Sequence, residues 1–181
     1  MNDPSNAPPP VGRRSFFKSF LATIIGVVLG VIPVAAGLQV LLDPLRRKAG
    51  ASSNIRIAPL EALPDDGIPR KFPVLADRVD AWNKFTQIPI GAVYLRRTGD
   101  QVQALNAVCP HAGCNVDFLR ERNVYLCPCH NSTFTVVGRI GDPSSPAARG
   151  LDSLDVEIRG NEVWVKFQNF RAGQAEKIPV A

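Results

Sequence analysis

The chain has 181 residues, 45% hydrophobic and 20% charged, with four cysteines and two histidines. It is too apolar for a disordered chain and too poor in cysteine for a small disulfide-built scaffold, and its length allows one ordinary domain plus an appendage. The net charge of +5 is uneven: residues 1–48 hold six Lys/Arg against two Asp, whereas residues 49–181 hold fifteen basic and fourteen acidic side chains, which argues against nucleic acid as a partner.

Residues 1–12 are polar and proline-rich and read as a disordered lead-in. Arg13-Arg14-Ser15-Phe16-Phe17-Lys18 follows, and together residues 1–18 form the first segment. From Ser19 to Leu42 no charged residue occurs over 24 positions, long enough to span a hydrocarbon core of about 30 Å. This predicts a transmembrane signal-anchor helix over 19–42, with lipid as its surroundings. Val34-Ala35-Ala36 leaves open processing after Ala36. Three basic residues precede the span and three follow it, so positive charge does not set its orientation. The paired arginines do: they resemble a twin-arginine export signal. That implies a bacterial cytoplasmic membrane with the head on the periplasmic face, and transport of an already folded protein suits one that receives a metal cofactor first.

Residues 43–54, with Ala49-Gly50-Ala51-Ser52-Ser53, are predicted to be a flexible neck. Residues 55–181 read as an all-β head. Ala92–Arg97 and Val102–Val108 flank a turn at Thr98–Gln101, Asn123–Leu126 is a short strand, and Leu154–Ile158 and Val163–Phe167 flank Gly160-Asn161. Asp77–Lys84 is the one stretch expected as a short helix.

Every cysteine and histidine falls in two boxes, Cys109-Pro110-His111-Ala112-Gly113-Cys114 and Cys127-Pro128-Cys129-His130-Asn131-Ser132. Taking Cys109, His111, Cys127 and His130 as metal ligands leaves Cys114 and Cys129, a pair able to form a disulfide. A structural zinc site accepts the same four ligands but gives no role to the second cysteine pair.

The boxes resemble the signature of Rieske iron–sulfur proteins, whose usual form is C-T-H-x-G-C and C-P-C-H-G-S. With the anchor and neck, the chain resembles the iron–sulfur subunit of cytochrome bc1 and b6f-type complexes. The resemblance implies antiparallel sheets with a cluster-binding subdomain over about 105–146. It implies one [2Fe–2S] cluster per chain, with Cys109 and Cys127 on one iron, His111 and His130 on the other, and a Cys114–Cys129 disulfide. It further implies that Ser132 bonds a cluster sulfur and that Gly141-Asp142-Pro143-Ser144-Ser145-Pro146 corresponds to a proline loop over the cluster.

Exchanging two thiolates for two neutral imidazoles makes the oxidised site neutral, which raises the potential to about −150 to +300 mV from about −400 mV for plant-type clusters. Imidazole also releases or takes a proton. The implied function is therefore quinol oxidation by coupled electron and proton transfer, with His111 and His130 as the reacting side chains at an exposed tip. A b-type cytochrome subunit and a c-type cytochrome are the implied partners, and the chain is not catalytic alone. Departures from the family pattern are Pro110 for threonine, Ala112 for a shielding leucine and Asn131 for glycine; at the last the backbone must either avoid a glycine-only conformation or tolerate positive φ, which asparagine does better than most. Phe134 stands where high-potential members carry a tyrosine that bonds a ligand sulfur, which implies a lower potential and menaquinol as donor. A Rieske small subunit serving an arsenite-oxidase-like molybdenum enzyme is the alternative. A soluble ferredoxin would have no span, and an oxygenase would need further histidines.

Overall fold

A computed structural model of the protein describes residues 12–46, 53–79 and 83–180. The chain divides into two compact units, Met1–Lys48 and Ala49–Ala181. In the first, helix α1 (Arg13–Arg46) runs for 34 residues, about 50 Å at the usual rise. Within Arg14–Leu42 an 18-residue window reaches mean hydropathy 2.4 with none of its residues buried, and this is the one helix among the described residues long and apolar enough to cross a membrane. Leu29, Val34 and Leu41 stand exposed along it, as suits side chains meant for a non-aqueous surrounding. The helix takes in Arg13–Lys18 and ends past Leu42. Residues 1–11 of the lead-in and 47–52 of the predicted neck lie outside the described residues.

The second unit is all-β. Among the described residues its ten strands are β1 (Ser53–Pro59), β2 (Arg70–Val79), β3 (Lys84–Thr98), β4 (Gln101–Asn106), β5 (Asp117–Leu119), β6 (Val124–Leu126), β7 (Thr133–Thr135), β8 (Ser153–Leu154), β9 (Val156–Arg159) and β10 (Glu162–Phe167). They form three antiparallel sheets of order β1-β10-β9, β2-β3-β4-β8 and β5-β6-β7. A 3-10 turn, Leu60–Ala62, follows β1.

The four-stranded sheet is the middle layer, because its strands alternate sides residue by residue. Val93 and Leu95 of β3 and Ala104 of β4 enter one core with Val163, Val165 and Phe167 of β10. Their neighbours Tyr94 and Leu105 enter a second core with Val116, Tyr125 and Phe134 beside the small sheet. Val93, Tyr94 and Leu95 are consequently all buried, the apolar run expected of a strand covered on both faces. The second core also contains Cys109 and Cys127, so the two boxes grow out of packed structure.

Both predicted hairpins form. Thr98 pairs with Gln101 across a turn in which Gly99 has φ +60°, and Arg159 pairs with Glu162 across a turn with Gly160 at φ +59°. Two expectations are corrected. Asp77–Lys84 is not a helix: β2 continues to Val79 and β3 begins at Lys84, with Arg78 opposite Phe85 and Val79 opposite Lys84, so cross-strand pairing overrides local propensity. Leu154–Ile158 is not one strand: Ser153–Leu154 pairs with β4 and Val156–Arg159 with β10. The break falls at Asp155, whose carbonyl accepts the Lys166 N–H.

Behind the second core, the carbonyl of Gly138 accepts the Leu151 N–H at 2.7 Å. A methyl group on Gly150 would overlap that same carbonyl oxygen. Gly150→Ala is therefore expected to cost about 1–3 kcal/mol, read as a lowered thermal midpoint of the protein; an unchanged midpoint would show that the two chain segments separate without cost.

Candidate metal centre

Box 1 leaves β4 and box 2 bridges β6 and β7, and each closes on itself in the same way. In box 1 the Cys109 N–H donates to the Cys114 carbonyl (2.7 Å) and the Gly113 N–H to the Cys109 carbonyl (2.9 Å), with Gly113 at φ +80°. In box 2 the Cys127 N–H donates to the Ser132 carbonyl at 2.8 Å. Asn131 has φ +55°, so it takes up the left-handed conformation expected where the family pattern has glycine, one that asparagine adopts more readily than most residues. Cys114 and Cys129 form a disulfide that joins the two loops over a sequence separation of 15.

The remaining four candidate ligands divide by burial. Cys109 and Cys127 are free thiols, each 1% exposed. Burial pushes the Cys109 thiol up, the His111 backbone N–H pulls it back, and the adjacent Cys127 pushes it up again. On the solvent side, the His111 and His130 rings meet edge to face with centroids 4.8 Å apart. His111 is half-buried and His130 exposed, as are Ala112, Gly113, Pro128 and Cys129 around them. The Cys127 sulfur also lies within 4.8 Å of both disulfide sulfurs.

Three polar atoms here or nearby are buried without a hydrogen-bond partner: His111 Nδ1, Ser132 Oγ and Tyr125 OH. Orphaned buried polar atoms are uncommon in a folded protein. Two of the three belong to the boxes. An inward imidazole nitrogen, a hydroxyl and two adjacent thiols form a donor set suited to a soft metal centre. Phe134, two residues past Ser132, is fully buried and offers no donor.

The proline-loop candidate starts where the Gly141 N–H donates to the Thr133 carbonyl at 2.8 Å. Asp142 Oδ1 accepts both the Ser144 N–H and its hydroxyl at 2.8 Å; these bonds hold the carboxyl below its usual range. The motifs gave no warning of two supports. Tyr94 OH donates to the Val116 carbonyl and accepts the Phe118 N–H, both at 3.1 Å, tying the middle sheet to the small one; burial raises its pKa. Asn106, 1% exposed, holds the entrance to box 1 by accepting the Val108 N–H on Oδ1 at 3.1 Å. The only available sign of Asn106 was a polar residue set between Leu105 and Ala107.

The sequence model of the Rieske [2Fe-2S] domain matches residues 63–155. The menaquinol:cytochrome c reductase iron-sulfur subunit of Bacillus subtilis is 24% identical over 158 residues, 86% of this chain and 91% of that protein. The cytochrome b6-f complex iron-sulfur subunit of Trichodesmium erythraeum is 30% identical over 154 residues, 82% of this chain and 81% of that protein. Its counterpart from Chlorobaculum thiosulfatiphilum is 28% identical over 150 residues, 82% and 74% respectively.

Proposed function

The chain belongs to the Rieske [2Fe–2S] family, and from that premise we propose that it is the electron-transfer subunit of a membrane quinol–cytochrome c oxidoreductase. The relatives named for menaquinol:cytochrome c reductase and for b6-f complexes, matched over most of their length, support the reading. The observation that carries it is the polarity of the centre: two adjacent buried thiols on the inside and two touching imidazoles at the surface.

In this reading Cys109 and Cys127 would hold one iron and His111 and His130 the other, His111 through its buried Nδ1. When bound, the cluster supplies a one-electron store. The protein does the rest. The second core keeps water from the thiols. The surface imidazoles each keep an outer nitrogen; once deprotonated, that nitrogen would take up the quinol's proton while the bound cluster would take its electron. Ser132 directs its hydroxyl inward, where a hydrogen bond to a charged acceptor is worth about 1.5–3 kcal/mol. Helix α1 anchors the chain, and Arg13-Arg14 routes it by twin-arginine export to the outer face of a bacterial cytoplasmic membrane. Of the predicted neck, residues 43–46 continue helix α1 and 53–54 begin β1; the stretch between them is the neck that lets the head reach a b-type cytochrome on one side and a c-type cytochrome on the other.

Phe134 makes menaquinol the fitting donor, because one sulfur-directed donor is missing and the reduced state is stabilised less. The test is an EPR-monitored redox titration of membranes holding the protein. The expected midpoint lies in the lower part of the span of about −150 to +300 mV, and Phe134→Tyr moves it up by tens of millivolts. A wild-type midpoint at the top of that span would remove the menaquinol assignment, and iron-free protein would remove the whole reading.

A further inference from the structure

The matched domain ends at residue 155, yet the chain beyond β10 returns to the metal centre. Residues 169–180 fold into a small hairpin. The Arg171 N–H donates to the Ile178 carbonyl and the Val180 N–H to the Asn169 carbonyl, both at 2.9 Å, and Phe170 bridges to Pro179. Phe170 packs against the first core, and Lys177 lies 4.6 Å above its ring while donating to the Ser153 carbonyl.

This hairpin meets box 1 at two points. Pro110 is fully buried and, having no N–H, presents one backbone polar group, its carbonyl. That carbonyl accepts the Gly173 N–H at 2.8 Å. Gly173 has φ +72°, and a side chain there would point at the carbonyl of His111. At the entrance to the box, Asn106 accepts the Val108 N–H and turns its Nδ2 to the Gln168 carbonyl (3.0 Å) and Asn169 Oδ1 (3.1 Å). A buried ion pair completes the circuit. Arg149 is bidentate to Asp152 and donates from Nη1 to the Gln174 carbonyl, while the Asp152 carbonyl accepts the Asn106 N–H at 2.8 Å. Among the described residues, box 2 has no hydrogen bond to this hairpin.

We propose that the C-terminal hairpin is a clamp on box 1, with Gly173 and Asn106 as positioning residues that fix the peptide leading into His111. The assignment rests on His111 being a ligand, as proposed above. Pro110 is where the chain departs from the family's threonine, and the clamp explains how the substitution is accommodated: the residue that lost a donor is held by its acceptor. Holding the Pro110 carbonyl fixes the plane of the next peptide and so limits the orientations open to the His111 ring.

The test compares Gly173→Pro with Gly173→Ala in the full-length, cluster-loaded protein. Proline removes the N–H and cannot take φ +72°; alanine keeps the N–H, its methyl group an ordinary 3.7 Å from the His111 carbonyl, and carries only the smaller strain of a positive φ. With Gly173→Pro, amide exchange across residues 109–114 is expected to rise by about tenfold or more while residues 127–132 keep their protection. The EPR g-values and the midpoint should shift together. Gly173→Ala, strained at positive φ but still donating its N–H, should shift clearly less than Gly173→Pro in all three readouts. Unchanged exchange and g-values in the proline variant, an equal rise in both boxes, or an alanine variant that moves as far as proline would each overturn the clamp. If Gly173→Pro does not fold, exchange in the wild-type protein decides: the Gly173 amide should open together with that of Cys109. Exchange at Gly173 faster by about a hundredfold would show the hairpin letting go alone and would overturn the proposal. Wild-type protein without a cluster signal would instead sink the ligand assignment, and the exchange arms would still judge the clamp.

Discussion

Cys127→Ala is expected to yield folded protein that binds no iron, shows no EPR signal when reduced and supports no cytochrome c reduction. The side chain lies in the second core, 1% exposed, against the other free thiol. No other sulfur can take its place, because the two remaining cysteines are bonded to each other. The fold should survive, since the residue's structural role runs through its backbone: its N–H donates to the Ser132 carbonyl, which alanine retains. Removing the sulfur opens a cavity of about one atom, a modest cost beside the loss of the whole centre. Iron content per chain and circular dichroism separate the outcomes. A full complement of iron in the alanine variant would mean that Cys127 is not a ligand.

Replacing both Cys114 and Cys129 by alanine is expected to lower the head's stability by about 3 kcal/mol, the chain-entropy value for a loop of about 15 residues, or about 10 °C in thermal midpoint. The loss should concentrate in the two boxes, because the disulfide is the covalent tie between them and each box otherwise bonds mainly within itself. Cluster release to a chelator should quicken more than global unfolding. Cys129 is exposed, so a small thiol reductant should reproduce the effect on the wild-type protein. If reductant and double substitution leave both chelator release and thermal midpoint unchanged, the loops are held by packing alone.

The centre was legible because its chemistry is compressed into two boxes holding every cysteine and histidine. The Cys114–Cys129 pairing followed from the family resemblance and is present. Glycine's place in the pattern left two choices for the backbone at Asn131, and the structure takes the positive-φ one. Hairpins with Gly at the turn were readable for the same local reason. What stayed hidden depends on partners distant in the chain. Nothing in Asp77–Lys84 announces that Arg78 faces Phe85 across a long ribbon. Nothing in Ser153–Leu154 reveals that two residues leave one sheet to join another. The supports were hidden in the same way: Asn106 finds its partners 62 and 63 residues away, and Tyr94 finds its partners 22 and 24 residues away. Periodicity records which face a residue turns inward, not what it meets there.

The sheets differ sharply in how far apart along the chain their partners lie. The small sheet β5-β6-β7 and its disulfide join segments separated by 15 residues at the covalent link, whereas β1 and β10 bring together Arg56 and Glu162 across 106 residues. Short-range contacts form fast and long-range pairings slowly. Pulse-labelled hydrogen exchange during refolding is therefore expected to protect the β5-β6-β7 amides before those pairing β1 with β10; simultaneous protection would show that the head closes as one unit.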